Sequence, residues 1–501
     1  MGNGLTKKGA SGPTPVVDLT NGKSLDKLIQ EAKKNGTLKN IERLDLSRQE
    51  LNELPPQIGK LVNLQILNIY DNNLKSLPPE LGKLTGLLAL GLNENSIAEL
   101  PAAVGKLKSL TLLDCRFNKL MEVPKELGQL TNLQKLFLRF NKIEEVDDVI
   151  GELSSLEILS MRNNKVRKVT DALGKLSKLL VLDFQHNSIV DFPSVKTLVN
   201  LTTLDLQYNT MTEMPDGVCS LVNLKHLHLK FNQIAVVPKD LGNLTCLEEF
   251  DMEGNRLTDL PDSLTKLKNL KKLYVNRNHF KTLPSCIPSI MSIEELFLHD
   301  NQIADCRSVG KLTKLRTLNL SGNSITDIPS EIAQLKLLRD LDIGSNSLSS
   351  LEPLHPFEDL GALQVLNASG NYLKQVPDSI GNLPHLEKLF LSENELERLN
   401  PAIGRLTALM ELNLDENVLT ELPPEIGQLC SLEVLNFNQN ELNDLPNEIY
   451  LLPLKMFGID DNPLEGIPSH VTEAGSQEVF DLLGQRLRDQ QEQNRKKKKK
   501  N

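Results

Sequence analysis

Leu64-Gln-Ile-Leu67-Asn-Ile69-Tyr-Asp-Asn72-Asn-Leu74 is followed 23 residues later by Leu87-Leu-Ala-Leu90-Gly-Leu92-Asn-Glu-Asn95-Ser-Ile97. The frame then returns along the chain, marked by Asn118, Asn141, Asn164, Asn187, Asn209, Asn232, Asn255, Asn278, Asn301, Asn323, Asn346, Asn371, Asn394, Asn417, Asn440 and Asn462. A first copy, Leu44-Asp-Leu46-Ser-Arg-Gln49-Glu-Leu51, carries Gln in the Asn slot. Nineteen copies of L-x-x-L-x-L-x-x-N-x-L result. Self-similarity at this period marks a stacked repeat architecture.

Leu67 and Ile69 lie two apart, so on a strand they point the same way and Asn68 and Tyr70 point the other. Each repeat therefore predicts one short strand with a buried and an exposed side. The second half, such as Leu77-Pro-Pro-Glu-Leu81-Gly-Lys-Leu84, has helix-like apolar spacing and should return the chain as a turn or short helix. One repeat cannot bury its leucines alone; stacked neighbours make a continuous core. The Asn at each strand end should turn inward and satisfy backbone groups of its own and the adjacent repeat. Strands about 4.8 Å apart give an inner arc of ~85–90 Å for nineteen repeats. Three steps depart from 23. Asn187 to Asn209 and Asn301 to Asn323 are 22, and Asn346 to Asn371 is 25, with Glu352-Pro-Leu-His-Pro-Phe357 as an expected bulge on the convex side.

A solenoid exposes core at its ends and needs caps. Residues 24–40 read as the first cap: Leu25, Leu28, Ile29 and Ala32 share a helical face, Ser24 stands at the N-cap and Gly36 follows the end. Residues 41–470 are repeats. Residues 471–490 read as the second cap, with Val479, Phe480, Leu483 and Leu487 inward. Residues 1–23 read as a disordered arm and 491–501 as a polybasic tail. Cys115, Cys219, Cys246, Cys286, Cys306 and Cys430 are scattered through the repeats, with no C-x-x-C pair. Caps without paired cysteines point to a reducing compartment, and cytoplasm is the expected location.

No secretory signal and no apolar run long enough to span a bilayer occurs. The formal charge is -10, and Arg495 to Lys500 contributes +6, so the rest carries -16. So acidic a body argues against nucleic acid as a partner. Met1-Gly2-Asn-Gly-Leu-Thr6 fits the N-myristoylation pattern at Gly2, with Lys7 and Lys8 behind it. One acyl chain plus a basic patch, here Lys7-Lys8 or Lys496–Lys500, would place the protein at the inner face of the plasma membrane. The lysine run alone also suits a nuclear address.

No catalytic constellation is present. Gly4-Leu-Thr-Lys-Lys-Gly9 has the glycine spacing of a phosphate loop, but Ala10 stands where Lys is needed. His226 and His228 project from one strand face, but the slots read beside them offer Gln207, Tyr208, Asp251 and Glu253 and suggest no third metal ligand; a surface contact is the expected role. Asp183 and Asp205 occupy equivalent slots, as do Asp45, Asp114, Asp251 and Asp342. A repeat preference explains them better than a carboxylate pair. No cofactor, metal or catalytic residue is expected.

Function in such a solenoid is carried by exposed strand positions. Directly before Asn stand Phe117, Phe140, Asn163, His186, Tyr208 and Phe231; one residue earlier stand Arg116, Arg139, Arg162, Gln185, Gln207 and Lys230. Aromatics and arginines make binding hot spots. Arg277 and His228 extend the set.

The Leu54-Pro-Pro-Gln-Ile58-Gly-Lys-Leu61 and Leu422-Pro-Pro-Glu-Ile426-Gly-Gln-Leu429 units resemble the Ras-group intracellular leucine-rich repeats. The order Cys115-Arg-Phe-Asn118, Leu138-Arg-Phe-Asn141, Met161-Arg-Asn-Asn164, Phe184-Gln-His-Asn187, Leu206-Gln-Tyr-Asn209, Leu229-Lys-Phe-Asn232 and Val275-Asn-Arg-Asn278 resembles the SHOC/SUR-type Ras–Raf scaffolds. The resemblance implies an α/β solenoid, a horseshoe of about nineteen 22–25-residue repeats with a parallel β-sheet on its concave face. It also implies a non-catalytic scaffold that holds a GTP-loaded Ras-type small GTPase with a type-1 protein phosphatase catalytic subunit, so that Raf kinase is dephosphorylated and MAP kinase signalling promoted. The family's phosphatase-docking motif (basic, Val or Ile, any residue, Phe or Trp) is absent from residues 1–40. Val190-Asp-Phe192, in the repeat body, is the nearest match and lacks the basic residue. A phosphatase regulatory subunit, or a membrane-peripheral adaptor with other partners, is the alternative.

Overall fold

The computed structural model describes residues 17–18, 25–354 and 357–498. They fall into two compact units, Met1–Ile234 with Asn243–Leu247, and Ala235–Gly242 with Glu248–Asn501. In the first, nine three-residue repeat strands run from Arg43–Asp45 to His226–His228; in the second, ten run from Glu249–Asp251 to Met456–Gly458. Within each unit successive strands pair parallel and in register: Leu67 faces Leu90 and Leu90 faces Leu113. Leu67, Leu90 and Leu113 are fully buried, as are Ile69 and Leu92 just past the strand ends. The expected repeat solenoid is what the chain forms.

The return segments are mostly 3-10 turns of three to five residues; the one between Val181–Asp183 and Thr203–Asp205 has only turns and bends. Pro55-Pro56 opens one, and the Leu61 N–H closes it on the Ile58 carbonyl at 3.0 Å. Proline pre-sets φ for such a start. Gly59 follows because a Cβ there would lie 2.7 Å from the Glu80 carbonyl of the next repeat. In two successive returns the proline is missing, and the extended backbone before the turn pairs with its neighbour. Asp147 and Thr170 occupy that slot after Val146 and Val169, and Glu145–Val146 pairs with Lys168–Val169 as a separate two-stranded sheet. Thr170 donates its N–H to the Val146 carbonyl at 3.1 Å, a bond proline cannot make.

The asparagines turn inward as the sequence requires. The Asn141 carbonyl oxygen accepts from the Leu120 N–H of the preceding repeat at 2.9 Å. Its amide donates to the Cys115 and Leu138 carbonyls, both at 2.9 Å. The ladder crosses the 25-residue step without interruption: Leu348 N–H reaches Asn371 at 3.0 Å and Asn371 reaches the Ile343 carbonyl at 3.1 Å. The extra residues lie in the return segment, in turns at Glu352–Leu354 and Phe357–Leu360; His355 and Pro356 are outside the described residues. Gln49 holds the Asn slot of the first repeat, and its Nε2 is buried with no partner among the described residues.

Helix α1 (Leu25–Lys34) buries Leu25, Ile29 and Ala32; Leu28 is half-buried, and Ser24 lies outside the described residues. Gly36, at φ +68, ends it, with Thr37 N–H on the Ala32 carbonyl at 2.9 Å. This is the left-handed closure glycine favours. The disordered arm expected over 1–23 is corrected at one place: Val17–Asp18 forms a strand parallel to the first repeat, with Val17 facing Leu44. Gly2, Lys7 and Lys8 lie outside the described residues. A short helix, α2 (Ser469–Thr472), precedes α3 (Ser476–Lys498). Helix α3 buries Val479, Leu483 and Leu487, with Phe480 half-buried. It runs past the expected end at Gln490, so the basic stretch begins on a helix rather than in a tail.

Asn141→Ala removes partners from three buried backbone groups and should cost about 2–4 kcal/mol. The exposed neighbour Lys142→Ala should cost under about 0.5 kcal/mol. Urea unfolding midpoints check the difference.

Candidate protein-interaction surface

The open face of the sheet in the first unit is built from three columns per repeat. The last strand residue forms the first column. Where it is Asp, its carboxylate accepts the N–H two residues on: Arg116 on Asp114 at 3.2 Å, Gln185 on Asp183 at 3.1 Å, Gln207 on Asp205 at 3.2 Å. This Asx turn accounts physically for the recurring aspartates. Asp183 also accepts from the Ser160 hydroxyl at 2.7 Å, yet burial pushes its carboxyl above the ordinary carboxylate value.

The second column holds the arginines. Arg116 donates Nε to Asp114 at 2.7 and 2.9 Å and Nη2 at 2.5 Å. Its charge is therefore satisfied within its own repeat, and that hydrogen bonding holds the guanidinium above its ordinary pKa. Arg116 thus differs from the two arginines that follow it in the column. The strand ends before Arg139 and Arg162 are Phe137 and Ser160, so neither finds such a partner. The Arg139 Nε is buried without a hydrogen bond. Arg162 donates its Nε to the Asn163 side chain at 3.0 Å. Gln185 and Gln207 are buried.

The third column, directly before Asn, is left-handed in repeat after repeat: φ is +52 at Phe117, +57 at Phe140, +55 at Asn163, +53 at His186, +52 at Tyr208 and +50 at Phe231. Sequence reasoning missed this conformation. Its signal was the glycine in the same slot at Gly254, Gly322 and Gly370, all at positive φ. The conformation aims successive side chains alike, and the rings stack. Phe117 and Phe140 lie 4.3 Å apart at 9°. His186 and Tyr208 lie 4.1 Å apart at 10°, and Tyr208 and Phe231 4.8 Å at 21°. Two aromatic platforms thus flank Asn163. Phe117 and Phe140 remain 41% and 37% exposed. Lys230 sits over Tyr208 at 5.7 Å, and His228 Nδ1 is 4.0 Å from Asp205. Burial foremost, and then the nearby Arg162 charge, hold His186 below the ordinary imidazole value.

Ten of the eleven expected contact residues belong to this unit; Arg277 belongs to the second. There it pairs with Asp300 at 3.2 Å and Glu253 at 3.6 Å. The phosphatase-motif candidate fares similarly: Phe192 packs its edge on buried Phe184 at 5.5 Å. All six cysteines are free thiols; Cys115, Cys286 and Cys306 are buried, and burial pushes the last two up to about 12.

Residues 80–204 and 186–303 match the family described as leucine-rich repeat region, and residues 313–373 that described as leucine rich repeat. A solved leucine-rich repeat protein of Leptospira interrogans is 32% identical, with a TM-score of 0.67 over 81% of this chain and 98% of its own. The Arabidopsis receptor kinase HAESA, solved with the peptide hormone IDA and the co-receptor SERK1, is 27% identical, with a TM-score of 0.68 over 86% of this chain and 75% of its own. A probably inactive leucine-rich repeat receptor-like protein kinase of Arabidopsis thaliana is 51% identical over 47 residues, 9% of this chain and 6% of that relative's length.

Left-handed backbone costs a side chain about 1 kcal/mol, and a ring stack contributes about 0.5–1.5 kcal/mol. Phe140→Gly should therefore leave stability within about 1 kcal/mol of the parent, checked by thermal unfolding. By nuclear magnetic resonance His186 should titrate below its ordinary value, and Tyr208→Ala should raise its midpoint. A depressed imidazole makes the folded state bind fewer protons than the unfolded one between the two pKa values. The contribution of this site is complete above the ordinary imidazole value and falls as pH drops from there to the folded-state value.

Proposed function

This chain belongs to the leucine-rich repeat protein family, and we propose that it is a non-catalytic scaffold for Ras-pathway signalling. Leucine-rich repeat proteins bind protein partners, and no enzymatic family is indicated. In this reading the open sheet face of the first unit takes a Ras-type small GTPase in its GTP form. A type-1 protein phosphatase catalytic subunit and Raf kinase are then the further partners.

The observation that carries the reading is the pair Arg139 and Arg162. No carboxylate lies within ion-pair distance of either among the described residues, whereas Arg116 in the same column is bound to Asp114. A cation already satisfied in its own repeat gains little from a partner. One without a carboxylate gains a charge-assisted hydrogen bond when an acidic surface arrives. The exposed Phe117–Phe140 platform beside them offers rigid apolar area of the kind binding hot spots use. An acidic switch surface with apolar flanks complements both.

Binding of the purified full chain to a Ras-type GTPase loaded with GDP or a non-hydrolysable GTP analogue tests this. The analogue form should bind, and Arg139→Glu with Arg162→Glu should weaken it at least tenfold. Arg116→Gln should change it less than threefold. Equal binding of both nucleotide forms overturns the GTPase reading, and nucleotide-independent recovery of phosphatase favours a phosphatase regulatory subunit.

A further inference from the structure

Helix α3 changes character along its length. Its first half is docked. Val479, Leu483 and Leu487 are buried, Phe480 lies 5.1 Å from Tyr450 and 5.9 Å from Phe457, and Arg486 donates to Asp444 at 2.8 Å. Arg488 still reaches the Tyr450 ring at 5.8 Å. From Asp489 to Lys497 every residue is exposed. This stretch, Asp-Gln-Gln-Glu-Gln-Asn-Arg-Lys-Lys, contains no apolar residue, so it has no core to join. The helix's last described residues, up to Lys498, fall in the basic sequence Arg495 to Lys500, and positive charge favours the negative end of a helix dipole. Glu492, 4.0 Å from Lys496, spans one turn.

We propose that the distal half of α3 is a stand-off electrostatic contact for an anionic lipid surface. The basic run carries +6 and the rest of the chain -16, so the body is repelled by the surface the run would touch. Separation resolves the conflict. At 1.5 Å per residue the helix carries Lys498 about 15 Å beyond Arg488, whereas charges in physiological salt are screened over ~8 Å. Lysines near an anionic bilayer are attracted within that range. The docked half fixes the projecting half, and lack of apolar side chains makes the contact electrostatic, without insertion. A bilayer fits better than a folded acidic protein because five consecutive lysines, Lys496 to Lys500, with no aromatic residue among them in the sequence, offer charge but no shape for a specific site.

The test uses the full chain carrying Gly2→Ala, so that no acyl chain contributes, in co-sedimentation with vesicles. Phosphatidylcholine vesicles containing phosphatidylserine should bind it at low salt, and 0.5 M salt, with a screening length of roughly 4–5 Å, should abolish binding. Pure phosphatidylcholine should not bind. Replacing Lys496 to Lys500 by Gln should weaken binding at least a hundredfold without moving the thermal unfolding midpoint. Deleting the neutral residues Gln490, Gln491, Gln493 and Asn494 keeps the charge but draws the run about 6 Å toward the body, and should weaken binding severalfold. Binding to neutral vesicles, insensitivity to the lysine replacement, unchanged binding of the deletion, or retention only by a nucleic-acid duplex would each overturn the proposal.

Discussion

One side-chain amide holds this fold together. At the strand ends an Asn does what backbone alone cannot do there: Asn141 accepts one N–H from the preceding repeat and donates to one carbonyl of that repeat and one of its own. The chain must turn out of the sheet while still inside the core, where an unpaired amide or carbonyl is costly. Only a short side chain carrying both donor and acceptor meets the need. The leucines supply the driving force by burial, but the asparagine fixes where the turn falls. It does so even across the repeat lengthened by two residues, where Asn371 bonds as its equivalents do.

The same constraint produces the surface. To bring Asn inward, the residue before it takes a left-handed conformation, which presents its side chain along the open face. In the first unit that slot holds rings, and register places them at stacking distance. The backbone strain is thus a repeated cost of the fold, and the aromatic platforms partly offset it. The column before it is governed by the strand end. Asp there closes a turn and, at Asp114, also neutralises the following arginine. Phe137 and Ser160 leave Arg139 and Arg162 without that partner.

Much of this was legible in sequence because one frame recurs nineteen times, and each copy repeats the evidence of the last. Strand positions, buried leucines and the role of Asn follow from spacing alone. The column of residues facing the open sheet was readable too, since alternation on a strand decides it. What escaped was local and conformational. Positive φ before Asn was hinted at only by three glycines. The pairing of Arg116 with Asp114 depends on a side chain folding back two residues; period-two reasoning puts both on one face but does not say that they bond. The small second sheet follows from Asp147 and Thr170 standing where neighbours have proline, a difference of two residues in a regular pattern. The length of α3 was underestimated because hydrophobic periodicity stops at Leu487, whereas the helix continues on polar residues of good propensity.

In the proposed function the partner lies across the strand ends of the first unit. Hydrogen–deuterium exchange of the full chain, free and with a Ras-type GTPase loaded with a GTP analogue, tests it most directly. Protection concentrated in residues 114–118, 137–141, 160–164, 183–187 and 205–209 is the predicted result. Protection confined to the 3-10 return segments, or none on adding the loaded GTPase, would contradict the account.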